Sequence, residues 1–454
     1  MNRIDAYHLL HRGAVTLAEV EANGMRIDLS YLDKTIEETA ARIKRLEENL
    51  RGCEEYKLQR RRYGQGVNLT SRDQLATILF NDMGFEPLSQ TATGKPQLDE
   101  TVLEHIGTKY TKGFLRLEKL NKALSTYLLP VRREVEGEFL HAFFGLHLVQ
   151  TYRGQSDSPN LTNIPIRDPI QGELIRRAFI PRVGNAIIET DYKALEVMVA
   201  CALSKDPKLT YDSTEGDMHE DMAAECYLLE KAQVTKQARQ TAKGGFVFAE
   251  FYGDWYKQVA QNLWNGIDRN KLTTPDGVSL FEHLKARGIT GLGECNPKKD
   301  AVKGTFEYHI KGVEDRFWNK RFKVYHAKRL SWLEEYKRQG YIDIVTGFRC
   351  NGLMSKNQVM NYHIQGPAFH CLLWSLIELQ NEIRRRRMGA KITGQIHDCI
   401  VADVPLGEVD DYIDLMTEIT TKRLLKAWDW ITVTFRVEIE TSVTNWHEKS
   451  AILT

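Results

Sequence analysis

Two carboxylates stand where the chain could present them to a ligand. The apolar run Ala186, Ile187, Ile188 leads into Glu189, Thr190, Asp191 and Tyr192, and an apolar helical run follows from residue 194, so Asp191 is expected where a buried strand ends. Residues 391–404 read as two β-prone runs meeting at His397 and Asp398, a tight hairpin with Asp398 at its turn. If the two strand groups share one sheet, Asp191 and Asp398 can bridge two hard divalent cations, because Mg2+ takes one or two carboxylates and leaves its other positions to water and phosphate. Aspartate at strand ends and turns is also common for local hydrogen bonding alone. Arg239 and Lys243 stand at i,i+4, hence on one helix face. Two cations one turn apart suit a triphosphate, and the aromatics beyond them, up to Tyr252, could stack on bases at roughly 1–3 kcal/mol each. A charged helix over an aromatic core stripe has the same pattern, so this segment alone does not choose.

The elements that must position these residues alternate between helical and strand-like texture. Residues 31–50 carry apolar positions at helical spacing amid Lys, Glu and Arg, a long amphipathic helix. Residues 57–66 read as a basic, Gly-bounded loop, 71–83 as a second charged helix before the Gly, Thr and Pro of 84–96, and 112–128 as a helix stopped by Pro130. Strand texture begins after 136, in 139–149 and 185–188, and returns in 392–404 and 431–443. Between 204 and 365 the text is helical, interrupted at 265–300 by turn-rich sequence that reads as an inserted subdomain. One sheet is therefore expected from sequence-distant pieces.

Composition bounds the function classes. The 454 residues, 42% hydrophobic and 27% charged, predict a globular chain with a prior of about three domains. Seven scattered cysteines, none at CxxC spacing, indicate neither a disulfide framework nor a thiolate zinc site and predict a reduced, cytoplasmic protein. No apolar run approaches the roughly 20 residues of a membrane span, and residues 1–24 lack a signal-peptide core, so no membrane partner is expected. With 62 Lys and Arg against 61 Asp and Glu, a nucleic-acid surface would have to be local.

Several segments taken in order are more specific. Thr151, Tyr152 and Arg153, with 158–165 just after (Ser-Pro-Asn-Leu-Thr-Asn-Ile-Pro), resemble the TxR and DPNLQNIP segment of family A DNA polymerases, the DNA polymerase I type. Residues 191–196 resemble that family's motif A, 239–253 its motif B, 361–366 its NxPxQG segment and 395–398 its motif C. Residues 67–75 are similar to the family's thumb. The chain thus resembles a phage-like polymerase domain. The resemblance implies an α+β right-hand polymerase fold with an antiparallel-sheet palm and helical thumb and fingers. The thumb, with an N-terminal lead-in helix, would span 1–135 and the palm 136–203 and 366–454. The fingers would span 204–365, with an insertion near 254–304.

Carried over residue by residue, Asp191 and Asp398 become the ligands of two Mg2+ ions and Glu196 the residue that crowds a ribose 2'-OH. Arg239, Lys243 and His219 become triphosphate contacts, Lys243 also serving the pyrophosphate leaving group. Phe248 and Tyr252 lie under the incoming dNTP and the templating base. Arg153, Asn160, Asn163, Asn361, Gln365 and His397 face primer-template DNA, and Arg60, Arg61 and Arg62 are expected to hold the duplex by its phosphates. The implied reaction is two-metal phosphoryl transfer adding dNMP to a primer 3'-OH in the cytoplasm of a bacterial or phage-infected cell. No proofreading exonuclease domain is expected before the palm, so a separate exonuclease or replisome protein would supply editing.

Three departures from the family pattern stand out. Cys399 replaces the usual Glu, and strand alternation allows it to point away from the metals. Lys243 to Tyr252 spans nine positions where eight are usual; counting back from Tyr252 selects Phe248, counting forward from Lys243 selects Val247. The fingers insertion has no assigned role. A single-subunit RNA polymerase would need room for the 2'-OH, which Glu196 opposes; a non-catalytic DNA-binding module would have no need of Asp191, Asp398, Arg239 and Lys243 together. Incorporation of dNTP against rNTP separates these readings.

Overall fold

A computed structural model describes residues 1–87, 96–166 and 168–452. At its centre lies a five-stranded antiparallel sheet. The strand Asn185–Tyr192 is its middle, flanked by Cys399–Pro405 on one side and Val437–Ser442 on the other, with Lys391–Ile396 and Ser450–Ile452 at the edges. The sheet is thus assembled from distant pieces, as the texture predicts. Its C-terminal flank is shorter than expected: 432–436 run outside the ladder and the strand begins at Val437.

One helix, Lys356–Arg386, backs this sheet. It starts on a capping box at Ser355 and Gln358 and runs through the expected fingers-to-palm boundary at 365–366 without a break. Pro367 removes a ladder hydrogen bond, ordinarily a cost of about 3 kcal/mol. Burial on all sides of the middle turns, from Val359 to Ile383, offsets it. Tyr192 of the middle strand reaches this helix with its hydroxyl 2.7 Å from Ser375 Oγ.

The lead-in helix Arg3–Asn23 belongs to this body by packing. Leu9, Leu17 and Val20 join the main core, and Gly13 lies so close to Leu373 that a Cβ would come within 2.8 Å. The helices Leu29–Arg51 and Lys109–Lys122 instead lead to a separate small core of Leu50, Leu75, Leu79, Tyr110 and Phe114. There the expected basic loop at 57–66 is mostly a helix, Glu54–Tyr63. Glu54 and Glu55 in its first turn and Arg60, Arg61 and Arg62 in its last oppose the helix dipole at both ends, which the Gly-bounded reading overlooked. The helix expected to stop at Pro130 continues to Glu134. A wide π turn at Ala123–Leu128 already departs from the regular ladder, so the amide missing at Pro130 is tolerated. Most of the Gly, Thr and Pro segment expected at 84–96 lies outside the described residues.

The helical stretch from 204 to 355 also holds an unexpected short hairpin, Tyr341–Asp343 with Arg349–Asn351. The expected inserted subdomain is not separate. Leu272, Leu280, Leu284 and Ile289 join the main core, and the helix Tyr256–Arg269 buries Val259, Ala260, Leu263 and Ile267. Its start is pinned by Lys257, which is 3% exposed, lies 3.4 Å from Glu307 and donates to the carbonyls of Asn296 and Lys299. Burying a charge is costly unless it is paired and hydrogen-bonded in this way.

Candidate active site

The middle strand delivers Asp191 to the floor of a cleft of about 580 Å³, and the two-residue turn His397–Asp398 delivers Asp398 to the same cleft. The turn is stitched to the strand end by the Tyr192 amide, which donates to the Asp398 carbonyl at 3.1 Å. His397 adopts φ +53°, the left-handed conformation that lets two residues reverse the chain. Tyr152 and Ala194 also hold positive φ beside the cleft. Such conformations cost on the order of 1–3 kcal/mol each and persist where the surroundings over-determine them.

Burial in the cleft, with Asp398 nearby, pushes the Asp191 carboxyl up to about 7. Burial also raises Asp398, against the opposing pull of Arg153 and His397. Two crowded carboxylates that resist ionising together are what a hard cation relieves, and the oxygen donors suit Mg2+. Among the described residues no group of three or more His, Cys, Asp or Glu is placed to hold a metal. Ions at this pair would therefore complete their shells with water and phosphate.

The cleft is otherwise lined by Arg153, Glu196, Phe248, Tyr252, Asn361, Gln365 and His397, all singled out in the sequence, together with Phe251 and Tyr325, which were not. Glu196 sits in the first turn of the helix Leu195–Ser204, 3.6 Å from Arg153 and hydrogen-bonded by the Tyr252 phenol. Burial raises its carboxyl; Arg153 and Tyr252 oppose that. Asn361 donates to the Tyr252 carbonyl at 3.3 Å. Gly253 closes the preceding helix at φ +90°, with Asn357 so near that a Cβ would come within 2.6 Å of its Oδ1; only glycine fits there.

A second cleft of about 440 Å³ adjoins the first at Asp191 and Phe248. His219, Arg239 and Lys243 line it, with Asp217, assigned no role from sequence, and with Lys193, Arg436 and Glu438, which sequence reasoning passed over. Glu438 lies directly across the ladder from Asp191; the alternation Val437, Glu438, Ile439, Glu440 is the signal that could have found it. Asp217 caps its helix at the Glu220 amide and accepts Arg239 Nε at 2.8 Å. Burial and the neighbouring Lys243 and Arg239 push His219 down to about 4, so its ring is neutral at working pH.

The nine-position step from Lys243 to Tyr252 has a structural explanation. The helix Lys236–Ala242 widens into a π turn at Lys243–Phe248 before resuming at Ala249–Tyr252. One extra residue in a helix is absorbed by such a turn without rotating the helix beyond it. Val247 is 1% exposed, whereas Phe248 faces both clefts, with Lys243 Nζ 5.4 Å above its ring and His219 edge-on at 5.9 Å.

Cys399 shares a sheet face with Asp191 but lines neither cleft. It stands opposite Asp191 in the ladder, and directly opposed residues share a face. The thiol is buried, which raises it well above its usual range, with Glu189 and Asp191 adding to the effect. It is therefore a neutral neighbour of Asp191. Alternation along one strand said nothing of register with the next.

The remaining candidates lie elsewhere. Asn160 caps the short turn Leu161–Asn163, accepting from the Thr162 amide, and the Asn163 carbonyl accepts from the Tyr127 hydroxyl. Neither lines either cleft. Arg60, Arg61 and Arg62 are exposed on the helix Glu54–Tyr63, Arg62 paired with Asp82 at 2.5 Å.

Known proteins share this architecture. The sequence model described as DNA polymerase family A matches residues 30–274, more than half of the chain. The thermostable DNA polymerase I of Thermus thermophilus is 28% identical over 423 residues, covering 89% of this chain and 44% of that protein. DNA polymerase I of Bacillus subtilis is 28% identical over 415 residues, covering 89% of this chain and 42% of that one. The chain thus spans less than half the length of these curated relatives. Among solved structures, the POL domain of Pol1 from M. smegmatis, in complex with DNA primer-template and dNTP, aligns with a TM-score of 0.73 at 22% identity. That match covers 96% of this chain and 70% of the other, and the fold is the right-hand polymerase fold. Among the described residues no helix is long and apolar enough to cross a membrane.

Proposed function

We propose, for a chain that belongs to DNA polymerase family A, that it extends a primer 3'-OH with dNMP along a DNA template and releases pyrophosphate. One observation carries this reading. Asp191 from a strand end and Asp398 from a turn far along the sequence meet at one cleft, and His219, Arg239 and Lys243 line a second cleft that opens from it. A carboxylate pair beside a cationic slot suits a nucleotide whose α-phosphate lies at the pair and whose β- and γ-phosphates lie in the slot.

Asp191 and Asp398 would hold two Mg2+ ions, which when bound lower the pKa of the attacking hydroxyl and neutralise the phosphates. Arg239 and Lys243 orient and neutralise the triphosphate, and Lys243 gives a proton or its charge to the departing pyrophosphate. His219, neutral, contributes a hydrogen bond rather than a charge. Glu196, fixed by Arg153 and Tyr252, occupies the space a 2'-OH would need. Phe248 and Tyr252 support the incoming nucleotide and templating base. Arg153, Asn361, Gln365 and His397 meet the primer terminus and minor groove, while Asn160, Asn163 and Arg60 to Arg62 follow the duplex. The small-core helical region serves as thumb, the five-stranded sheet as palm and the helices between as fingers. The setting is the cytoplasm of a bacterial or phage-infected cell. Primer extension with Mg2+ tests the reading: dNTP-dependent growth of a matched primer supports it, and equal use of rNTP would favour the RNA polymerase alternative.

A further inference from the structure

The wide turn Phe317–Arg321 ends in a guanidinium that the proposed chemistry leaves unused. Arg321 is 13% exposed and forks between carboxylates of two different helices. Its Nε and Nη2 reach Asp212 Oδ2 at 2.8 and 2.7 Å, and Nη2 reaches Asp221 Oδ2 at 2.5 Å. Asp212 belongs to the helix Pro207–Thr214 and Asp221 to the helix Met218–Tyr227. Between them lies the corner that delivers Asp217 and His219 to the second cleft.

That corner is built on Asp212. Its side chain is 1% exposed, lines the cleft and takes Lys208 Nζ at 2.7 Å on its other oxygen. Gly216 rests against it so closely that a Cβ would come within 3.1 Å of both Asp212 Cα and Oδ1. The next residue, Asp217, caps its helix and holds Arg239. A continuous line of contacts therefore runs from Arg321 through Asp212, Gly216 and Asp217 to Arg239, and the second Arg321 contact, at Asp221, sets the helix that carries His219.

We propose that Arg321 is a positioning residue for the polyphosphate of the incoming nucleotide, holding the corner that aims Asp217, Arg239 and His219. The inference rests on the polymerase reading above. The planar fork is what binds two carboxylates in fixed relation; a lysine keeps the charge and loses the relation.

The test is single-nucleotide incorporation on a preformed protein–primer-template complex, with two variants. Arg321→Lys removes the fork. Arg321→Met combined with Asp212→Asn removes the guanidinium together with its most buried partner, while Asp221 keeps Lys231, so no buried charge is left unpaired if the lysine variant fails to fold. The expected result in either variant is a rise in KM for dNTP of about ten- to a hundredfold, with kcat and DNA affinity nearly unchanged. Inorganic pyrophosphate should weaken as an inhibitor by a similar factor. A purely structural role would lower Tm or the active fraction and leave KM alone, and that result overturns the proposal. Wild-type protein runs in parallel: if it shows no dNTP-dependent extension, the polymerase reading fails and this inference falls with it, whereas active wild type with unmoved KM in the variants overturns the positioning role alone.

Discussion

Asp191 and Asp398 crowd one another, and the crowding has a sign in pH. With Asp191 raised to about 7 in the folded protein and near 3.8 when unfolded, the folded state holds more protons between those values. The contribution of Asp191 to the stability of the metal-free protein therefore falls as pH rises from about 4 to 7 and levels off above, the reverse of a salt-bridged carboxylate. Melting in EDTA across that range should show this slope in the difference between wild type and Asp191→Asn. Activity should fall as pH drops below about 7, where the proton competes with the cation. Asp398→Asn should cost at least about 10²–10³-fold in single-turnover extension, on the scale of losing one preorganised electrostatic group. Cys399→Ser should cost little, because the thiol is neutral and buried. Cys399→Glu places a third carboxylate opposite Asp191, so its Tm should drop in EDTA and recover with Mg2+; an equal drop under both conditions would count against a cation at this pair. The two aspartates are legible in sequence because a strand end and a turn are marked by their neighbours. The orientation of Cys399 is not, because it depends on ladder register, a long-range property.

Among the elements, the helix from Lys236 to Tyr252 makes the sharpest prediction. Gly244 lies in its wide turn with open space where a Cβ would be, whereas a Cβ on Gly245 would press to 2.9 Å from Leu263. Deleting Gly244 should let the turn close to regular helix while Lys243, Phe248 and Tyr252 keep their relative places. Extension should therefore survive the deletion, while inserting one more residue there should abolish it; loss of activity on deletion in a folded protein would refute the account of the turn. On the helix Glu54–Tyr63, Arg61 meets Glu54 only at 3.9 Å while Arg62 pairs with Asp82 at 2.5 Å, so the proposed duplex contact falls first to Arg60 and Arg61. Neutralising both should flatten the slope of log affinity against log salt by about 0.9 for each phosphate left without its cation. The run of arginines ending the helix Lys356–Arg386 offers less, because Arg384 pairs with Glu19 and Arg385 and Arg386 with Glu382. Amphipathic spacing makes the long helices legible. The continuation through Pro130 and the helix at 54–63 escape that reading, because one depends on a wide turn and the other on end charges rather than on apolar period.

At the scale of the molecule, the strand Asn185–Tyr192 is gripped from both sides by strands more than 200 residues later, so the site exists only when the whole chain has closed. Strand texture at both ends of a helical stretch makes that closure legible, and the ordered resemblance to family A motifs makes most of the polar lining of the two clefts legible. What lies outside both is the packing of the expected insertion into the core through Lys257 and Glu307, since a buried ion pair leaves no periodic trace in sequence. The account as a whole stands on template-directed synthesis at the Asp191 and Asp398 pair. Single-turnover extension of a matched primer with Mg2+, comparing dNTP with rNTP in wild type, Asp191→Asn and Asp398→Asn, measures that claim directly. It predicts templated addition of dNMP, strong discrimination against rNMP, and loss of extension in both variants while DNA affinity is kept. Undiminished extension in either variant, or none in folded, DNA-bound wild type, would contradict it.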